Sequence, residues 1–246
     1  MDLVAFTGLG APWLVVVGLI IVLAAIVQLG LGMGFGLTAA PLLALIDPAL
    51  VPGPTLILGM LSSTWGAIGE RQAIAWNEVG IGSIGRAAGV VIATGVLTVL
   101  AGGRGFSIAF GLMVGLAVAM SIYGRRIPFT RRNLIGMSTL SGLMATITSV
   151  GAPPLALMYQ DRPSAEARPT LAAFFALGCL FSLAGLAASG HAGSRDLVLA
   201  GLMLPPMLAG IVVARGLRGR FDRRYRPALL TVAGVAAALL VLRGLA

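Results

Sequence analysis

The stretch that decides the fold is GLGMGFGLTAAP, residues 30–41, which directly follows the apolar run WLVVVGLIIVLAAIVQL, residues 13–29. The run has the composition of a membrane helix, yet glycine then occupies every second position from 30 to 36, and a proline follows at 41. Each glycine costs a helix about 1 kcal/mol relative to alanine, and each proline about 3 kcal/mol. Backbone groups released by such a break cannot face lipid. We therefore expect this break to be buried in protein or to line a polar cavity.

The composition of the whole chain indicates an all-α integral membrane protein. Of its 246 residues, 58% are hydrophobic and only 10% are charged, and the mean hydropathy is +1.01. The apolar runs are much longer than the roughly 10-residue alternating segments of an outer-membrane barrel. No basic residue precedes the first run, so no cleavable signal peptide is expected. The single cysteine, Cys179, excludes an internal disulfide and a cysteine metal cluster.

Long apolar stretches divide the chain into eight hydrophobic segments. They span residues 12–46, 51–69, 80–101, 105–123, 133–158, 169–190, 197–214 and 227–242. The third contains one charge, Arg86, and the interiors of the others contain none. All 17 basic residues are arginine, and most lie between segments, where they act as topology determinants rather than as a nucleic-acid surface.

Two arginine-rich loops conflict with a topology in which every segment crosses the membrane once. One loop lies between segments four and five, the other between seven and eight, so three crossings would put them on opposite faces. The positive-inside rule puts both in the cytoplasm. The conflict disappears if segment five is a re-entrant hairpin, which its break SVGAPP, residues 149–154, allows. The loops contain Arg125, Arg126, Arg131 and Arg132, and Arg215, Arg218, Arg220, Arg223, Arg224 and Arg226.

The first segment is interrupted in the same way, so we predict two inverted repeats, residues 1–124 and 125–246. Each has one re-entrant segment and three transmembrane helices, and both termini lie on the periplasmic side. A weak internal similarity supports the division: APLLAL at 40–45 precedes PTL at 54–56, much as PPLAL at 153–157 precedes PTL at 169–171.

The two breaks also predict a binding site. A helix restarts after each break, and its first N–H groups and the positive end of its dipole are then available to a ligand. Two such ends meeting near the midplane would bind a small anion. The candidate substrate-binding residues are Gly32, Gly34, Gly36, Thr38, Pro41, Ser62, Ser63, Thr64, Arg86, Thr148, Ser149, Gly151 and Pro153.

Two of these assignments have equally simple structural explanations. The hydroxyls of Ser62, Ser63 and Thr64 are as readily explained by bonds to carbonyls of their own helix as by substrate contacts. For Arg86, extension to the interface or pairing with Glu78 is favoured, by roughly 60 to 40, over attraction of an anion.

Missing motifs limit the function classes. None of the eight acidic residues lies deep in a span, as a proton relay or sodium site commonly requires. No Walker motif is present, and His191 lies in a predicted loop without a catalytic partner. We therefore expect a protein that is not an enzyme and that binds no metal or cofactor. The expected activity is secondary or passive transport. The membrane potential, negative inside, would drive an anion outward by about 2.3 kcal/mol per charge per 100 mV.

Three stretches resemble the TauE/SafE (TSUP) family of sulfite and organosulfonate exporters. Residues 30–43 are similar to its first glycine motif, residues 149–155 to its second, and residues 71–76 to a recurring cytoplasmic loop. The chain departs from the second motif at Ser149 and Ala152, where glycine is common. The resemblance implies export of sulfite, sulfoacetate or a related sulfonate or carboxylate across the bacterial inner membrane, with the site at the two motifs.

Two hypotheses therefore stand at this stage. The first is a secondary anion transporter whose partners are a small anion and the lipid bilayer, with no nucleic acid, and for which a homodimer stays open. The alternative is a non-transporting membrane assembly subunit with a vestigial cavity.

Overall fold

In the computed structural model, residues 10–99, 103–216 and 225–245 are described, and these ranges form helices and loops without a strand. The helices are α1 (Ala11–Leu31), α2 (Phe35–Ile46), α3 (Gly53–Gly69), α4 (Trp76–Val99), α5 (Gly103–Tyr123), α6 (Arg131–Thr148), α7 (Ala152–Tyr159), α8 (Ser164–Ala188), α9 (Ser194–Gly216) and α10 (Tyr225–Leu245). Short 3₁₀ turns, Pro48–Leu50 and Arg71–Ala73, flank α3. The prediction of an all-α protein is confirmed.

Five helices, α1, α4, α5, α8 and α9, are long and apolar enough to cross a membrane. Large apolar side chains on their outer faces are exposed, for example Leu19 on α1, Val91 on α4 and Val212 on α9. In water such a surface would be unstable, whereas in a bilayer it faces acyl chains. The chain is therefore a multi-pass membrane protein.

Both predicted breaks are present. α1 ends at a left-handed Gly32, with φ of 74°, and α2 begins after Gly34, with φ of 108°. α6 ends at Ser149, a non-glycine residue with φ of 62°. Glycine adopts positive φ without a steric cost and other residues rarely do. The segments predicted at 12–46 and 133–158 thus each divide into two helices.

The second broken segment returns to the face from which it started. Near the end of α7, the carbonyl of Leu157 accepts a hydrogen bond of 3.5 Å from the amide of Ile127, in the loop before α6. In the same region Arg126 lies 3.4 Å from Asp161. The two ends of the α6–α7 hairpin are therefore neighbours, as re-entry requires.

Contacts at the helix ends place Arg215, where the second arginine-rich stretch begins, on the same side of the bundle as the first arginine loop. The guanidinium of Arg215 lies 5.1 Å above the ring of Trp65, and Glu70, one turn further along α3, pairs with Arg168. Residue 162, in the loop that carries Asp161, pairs with Glu78. We call the side formed by residues 69–76, 124–131, 159–168 and 215 the arginine face. Of the other arginines of the second loop, Arg226 lies in the first turn of α10, and those at 218, 220, 223 and 224 lie outside the described residues.

Helix pairing is consistent with two halves in opposite orientations. α3 packs against α8 and α5 against α10. Both pairs are antiparallel, because Gly59 lies beside Cys179 and Gly66 beside Ala172 in the first pair. In the second pair, position 111 lies beside 241 and position 234 beside 118. A two-fold axis in the membrane plane relates equivalent helices in this way. The division into inverted halves at 124/125 stays a prediction, which this pairing supports.

Candidate functional site

The two breaks contact each other inside the bundle. Gly36, in the first turn of α2, lies against the carbonyl oxygen of Ser149, and a Cβ at position 36 would overlap that oxygen. The contact joins residues 113 positions apart in sequence. A glycine is needed here because the two backbones meet without room for a side chain.

A small cavity, which we call the central cavity, lies between the breaks. Its volume is about 40 Å³, which is room for about three water molecules. The first break supplies residues 34–37 and the second supplies Ser149, Gly151 and Ala152. Its other walls come from α1, α3 and α8 and include Gln28, Thr55, Ser63, Phe175 and Cys179.

Gln28 holds the first break together, and the sequence analysis missed it. Its side-chain nitrogen donates to the carbonyl of Gly32 at 3.2 Å and to the hydroxyl of Ser63 at 2.8 Å. Its side-chain oxygen accepts from the amide of Phe35 at 3.0 Å. The residue is 4% exposed. A signal existed, because Gln28 is the only strongly polar side chain in the apolar run of residues 13–29.

The N-terminus of α2 supplies amide groups to the central cavity. The amide of Phe35 is bonded to Gln28, and Gly36 and Leu37 line the cavity. Amides in the first turn have no partner within their own helix. This end of α2 therefore has backbone N–H groups beside the central cavity, and the binding of an anion there stays a prediction.

The second break offers fewer amides than expected. α7 starts with Ala152, Pro153 and Pro154, and proline has no backbone N–H. The Ser149 hydroxyl donates to the carbonyl of Pro52 at 3.0 Å. Of the two helices that restart after a break, α2 therefore has more backbone N–H groups at its start than α7.

Arg86 supplies positive charge beside the second break. Its Nη1 donates to the carbonyl of Ser141 at 3.0 Å and to its hydroxyl at 2.8 Å, and Nη2 lies 3.4 Å from the hydroxyl of Ser182. The side chain is 1% exposed, and Nε has no hydrogen-bond partner. Ser141 in turn donates to the carbonyl of Gly151 at 2.6 Å, so Arg86 and the break share one network.

The favoured structural explanation for Arg86 is wrong on both counts. Its burial rules out extension to the interface. Glu78 instead accepts from the hydroxyl of Tyr159 at 2.6 Å and pairs with Arg162 at 2.9 Å. Burial, followed by the bond to Glu78, raises the pKa of Tyr159, so its phenol stays protonated as the donor. Among the described residues, the ion pairs join Arg126 to Asp161, Arg162 to Glu78 and Arg168 to Glu70, and none contains Arg86.

Two glycines allow the Arg86 guanidinium to approach the cavity wall. A Cβ on Gly151 would lie 2.9 Å from Nη1, and one on Gly178 would lie 2.7 Å from Nε. Gly151 lines the central cavity, as does Cys179, which follows Gly178. The charge therefore lies directly behind the wall formed by the second break.

A second, larger cavity, which we call the vestibule, lies at the arginine face. It has a volume of about 250 Å³. Its lining includes Gln28, Ser62, Trp65, Glu70, Arg168 and Arg215. Gln28 and residue 32 connect it to the first break, and Gln28 also lines the central cavity.

The predicted substrate-binding residues divide between these cavities and the core. Gly34, Gly36, Ser63, Ser149 and Gly151 line the central cavity, and Gly32 and Ser62 line the vestibule. Thr38, Pro41, Thr148 and Pro153 are buried but line neither.

The hydroxyls of Thr38, Thr148 and Ser62 are bonded to backbone carbonyls three or four positions earlier in the chain. Thr38 donates to the carbonyl of Gly34 and Thr148 to that of Met144. Ser62 donates to the carbonyl of Gly59 in its own helix, at 3.1 Å. Thr64 is exposed on the outer surface and lines neither cavity.

The parts of the chain that the structure describes contain no cluster of metal-binding side chains. Within them, no three His, Cys, Asp or Glu residues come close enough together to hold a metal ion.

Comparison with known proteins gives one match, and it covers nearly the whole chain. The model of the family described as "Sulfite exporter TauE/SafE" matches residues 17–240. No curated protein and no solved structure gives a significant match. The matched range contains both breaks, Gln28, Arg86 and both cavities.

Proposed function

Because this chain belongs to the sulfite exporter TauE/SafE family, we propose that it is a secondary exporter of one small sulfur-containing anion, sulfite or a short organosulfonate. The family is one of membrane transporters, and the helices and lipid-facing surface described above agree with that class. The proposed location is the bacterial inner membrane, with the arginine face in the cytoplasm, as the positive-inside rule favours.

The observation that carries the proposal is the position of Arg86 behind two touching breaks. A buried cation without a carboxylate costs several kcal/mol. An anion in the central cavity would offset that cost, because it would be separated from the guanidinium only by Gly151 and its neighbours. A vestigial cavity in an assembly subunit has no use for such a charge, so the transporter hypothesis is favoured.

The proposed site combines amides, hydroxyls and this charge. The first-turn amides of Gly36 and Leu37 would donate to the anion from one side. Ser63, whose hydroxyl accepts from Gln28 and keeps its own proton for donation, lines the cavity as well. Arg86 would act through the wall as an electrostatic partner. A cavity of about 40 Å³ fits a compact oxyanion such as sulfite, whereas sulfoacetate would require it to widen. Sulfite is therefore the first substrate to test.

The test is sulfite binding and flux with the purified protein, in detergent and in proteoliposomes with an imposed potential. We expect saturable binding, and outward flux that a potential negative on the arginine-face side accelerates. Arg86→Met should weaken binding about tenfold or more, since the attraction between the buried guanidinium and the anion is lost. The variant should remain folded, because it also removes the desolvation cost of a buried charge that has no carboxylate partner.

Thr64→Val is the matched control, since Thr64 is exposed and lines neither cavity. Equal binding by wild type and Arg86→Met would move the site away from the second break. No binding or flux of any sulfur oxyanion or sulfonate in a panel would support the assembly-subunit alternative.

A further inference from the structure

The vestibule is a deep, positively charged recess that the proposed central site does not use. Along α3 and its C-cap it extends from Ser62 to Glu70, a length of about 12 Å along the helix axis. Gln28, Leu29 and Gly32, from the end of α1 and its C-cap, also line it. An anion arriving from the arginine face would meet this recess before it reached the central cavity.

The charges of the vestibule leave one cation uncompensated. Arg168 pairs with Glu70, and both side chains are partly buried. Arg215 lies 5.1 Å above the ring of Trp65 and belongs to none of the ion pairs of the described residues. With two guanidinium groups and one carboxylate, the lining has a net charge of +1. A recess with low-dielectric walls concentrates the field of such a charge.

Among the described residues that line the two cavities, Gln28 is the one that both share. Its bond of 2.8 Å to Ser63 lies between them. Gly32, which Gln28 also contacts, packs against the backbone of Arg168, so that a Cβ at position 32 would lie 2.9 Å from its Cα. The charged lining and the first break are therefore in direct contact.

We propose that the vestibule is a second anion-binding site, which holds a small oxyanion or sulfonate before it passes Gln28. This inference rests on the proposed transport function. Arg215 provides the uncompensated guanidinium, which can bind two oxygens of such an anion at once. Trp65 fixes its position, and Glu70 limits the affinity by neutralising Arg168, so that the anion is released inward.

The proposal is tested by sulfite transport kinetics from the arginine face, in proteoliposomes of known orientation. Arg215→Gln should raise the half-saturation concentration about tenfold at low salt and leave the maximum rate unchanged. Its salt dependence should also flatten, because screening acts on the charge that has been removed. Glu70→Gln should do the opposite: removal of its carboxylate brings the net charge of the lining to +2, so the half-saturation concentration should fall several-fold.

The matched control is Arg132→Gln, which removes one exposed arginine from the start of α6, outside both cavities. Arg215 is itself exposed, so its replacement should not affect folding. A lower half-saturation concentration in Glu70→Gln cannot result from misfolding. If Arg215→Gln and Arg132→Gln have the same kinetics and salt dependence, the vestibule does not bind the anion. Wild-type flux would then still support the proposed function, whereas absent wild-type flux would contradict the function itself.

Discussion

Gly36 is the residue on which contact between the two breaks depends. Its α-carbon lies so close to the carbonyl of Ser149 that a methyl group would overlap it. The atom it would meet belongs to the backbone and cannot rotate away. The contact between the breaks therefore requires glycine at position 36. At position 34 a Cβ would meet only a side-chain methyl of Val27 at 3.1 Å, and the requirement for glycine there comes from the φ of 108°.

We predict that Gly36→Ala separates the breaks and lowers the free energy of unfolding by about 1–3 kcal/mol, the usual cost of overpacking a core. Sulfite binding should be lost with it. Thermal unfolding in detergent and a binding titration measure the two effects. Gly95→Ala provides the control, because a Cβ at this exposed position on α4 meets nothing within 4 Å. A Gly36→Ala variant as stable as Gly95→Ala would contradict the contact.

Residues that destabilise a helix by themselves could be predicted from the sequence. Residues whose role depends on partners far away along the chain could not. Gly32 and Gly34 were predicted because glycine disrupts any membrane helix, and both have positive φ. The role of Arg86 could not be predicted locally, since its partners Ser141 and Ser182 lie 55 and 96 positions away. Glu78 was the expected partner of Arg86 only because it is the nearest carboxylate along the chain.

Among the helices and their connections, the first break depends on a polar tether. Gln28 on α1 binds the carbonyl of Gly32 and the amide of Phe35 at the start of α2, and it binds Ser63 on α3. One side chain thus satisfies backbone groups that the break releases and fixes the position of two further helices. In a membrane interior these groups have no water to bind.

We predict that Gln28→Leu leaves the amide of Phe35 unsatisfied and lowers the free energy of unfolding by about 1–3 kcal/mol. Transport should also become leakier, because the hydrogen bonds that fix the side chain between vestibule and central cavity are lost. Denaturation in detergent and flux without a potential measure the two effects. Thr98→Val is the control: its hydroxyl donates to the carbonyl of Gly95 in its own helix and it lines neither cavity, so its loss should change stability and flux little. If Gln28→Leu matched Thr98→Val in both assays, the tether would have no such role.

At this scale the sequence indicated where helices end, but not how many amides each new helix offers. Runs of glycine and proline locate a break because they remove helix stability. The same prolines, Pro153 and Pro154, remove N–H donors from the start of α7. The second break therefore supplies carbonyls and a serine hydroxyl, and the positive charge comes from another helix. That charge belongs to Arg86 on α4, and its position beside the break depends on how α4 packs against α6.

For the whole molecule, the distribution of charge predicted the path of the chain better than hydropathy did. Hydropathy alone counted eight segments and gave two arginine loops on opposite sides. The requirement that these loops share a side predicted the hairpin, and the contacts of Arg126 and Arg215 lie on one face. The rule rests on the cost of moving arginine across a bilayer, which does not depend on the local structure. The orientation of that face in the cell is the part still to be tested.

Labelling of single cysteines tests this path directly, in a Cys179→Ala background. Pro128 and Gln160 are exposed and flank the α6–α7 hairpin, whereas Gly10 and His191 are exposed near the other ends of α1 and α8. With a thiol reagent that does not cross membranes, cysteines at 128 and 160 should react from the cytoplasmic side of oriented vesicles. Cysteines at 10 and 191 should react from the periplasmic side. If residues 128 and 160 reacted from opposite sides, α6 and α7 would form one crossing, and the two breaks would not face each other across the cavity. Reaction of all four from the reverse sides would instead keep the hairpin and place the vestibule on the periplasmic side, which would favour uptake over export.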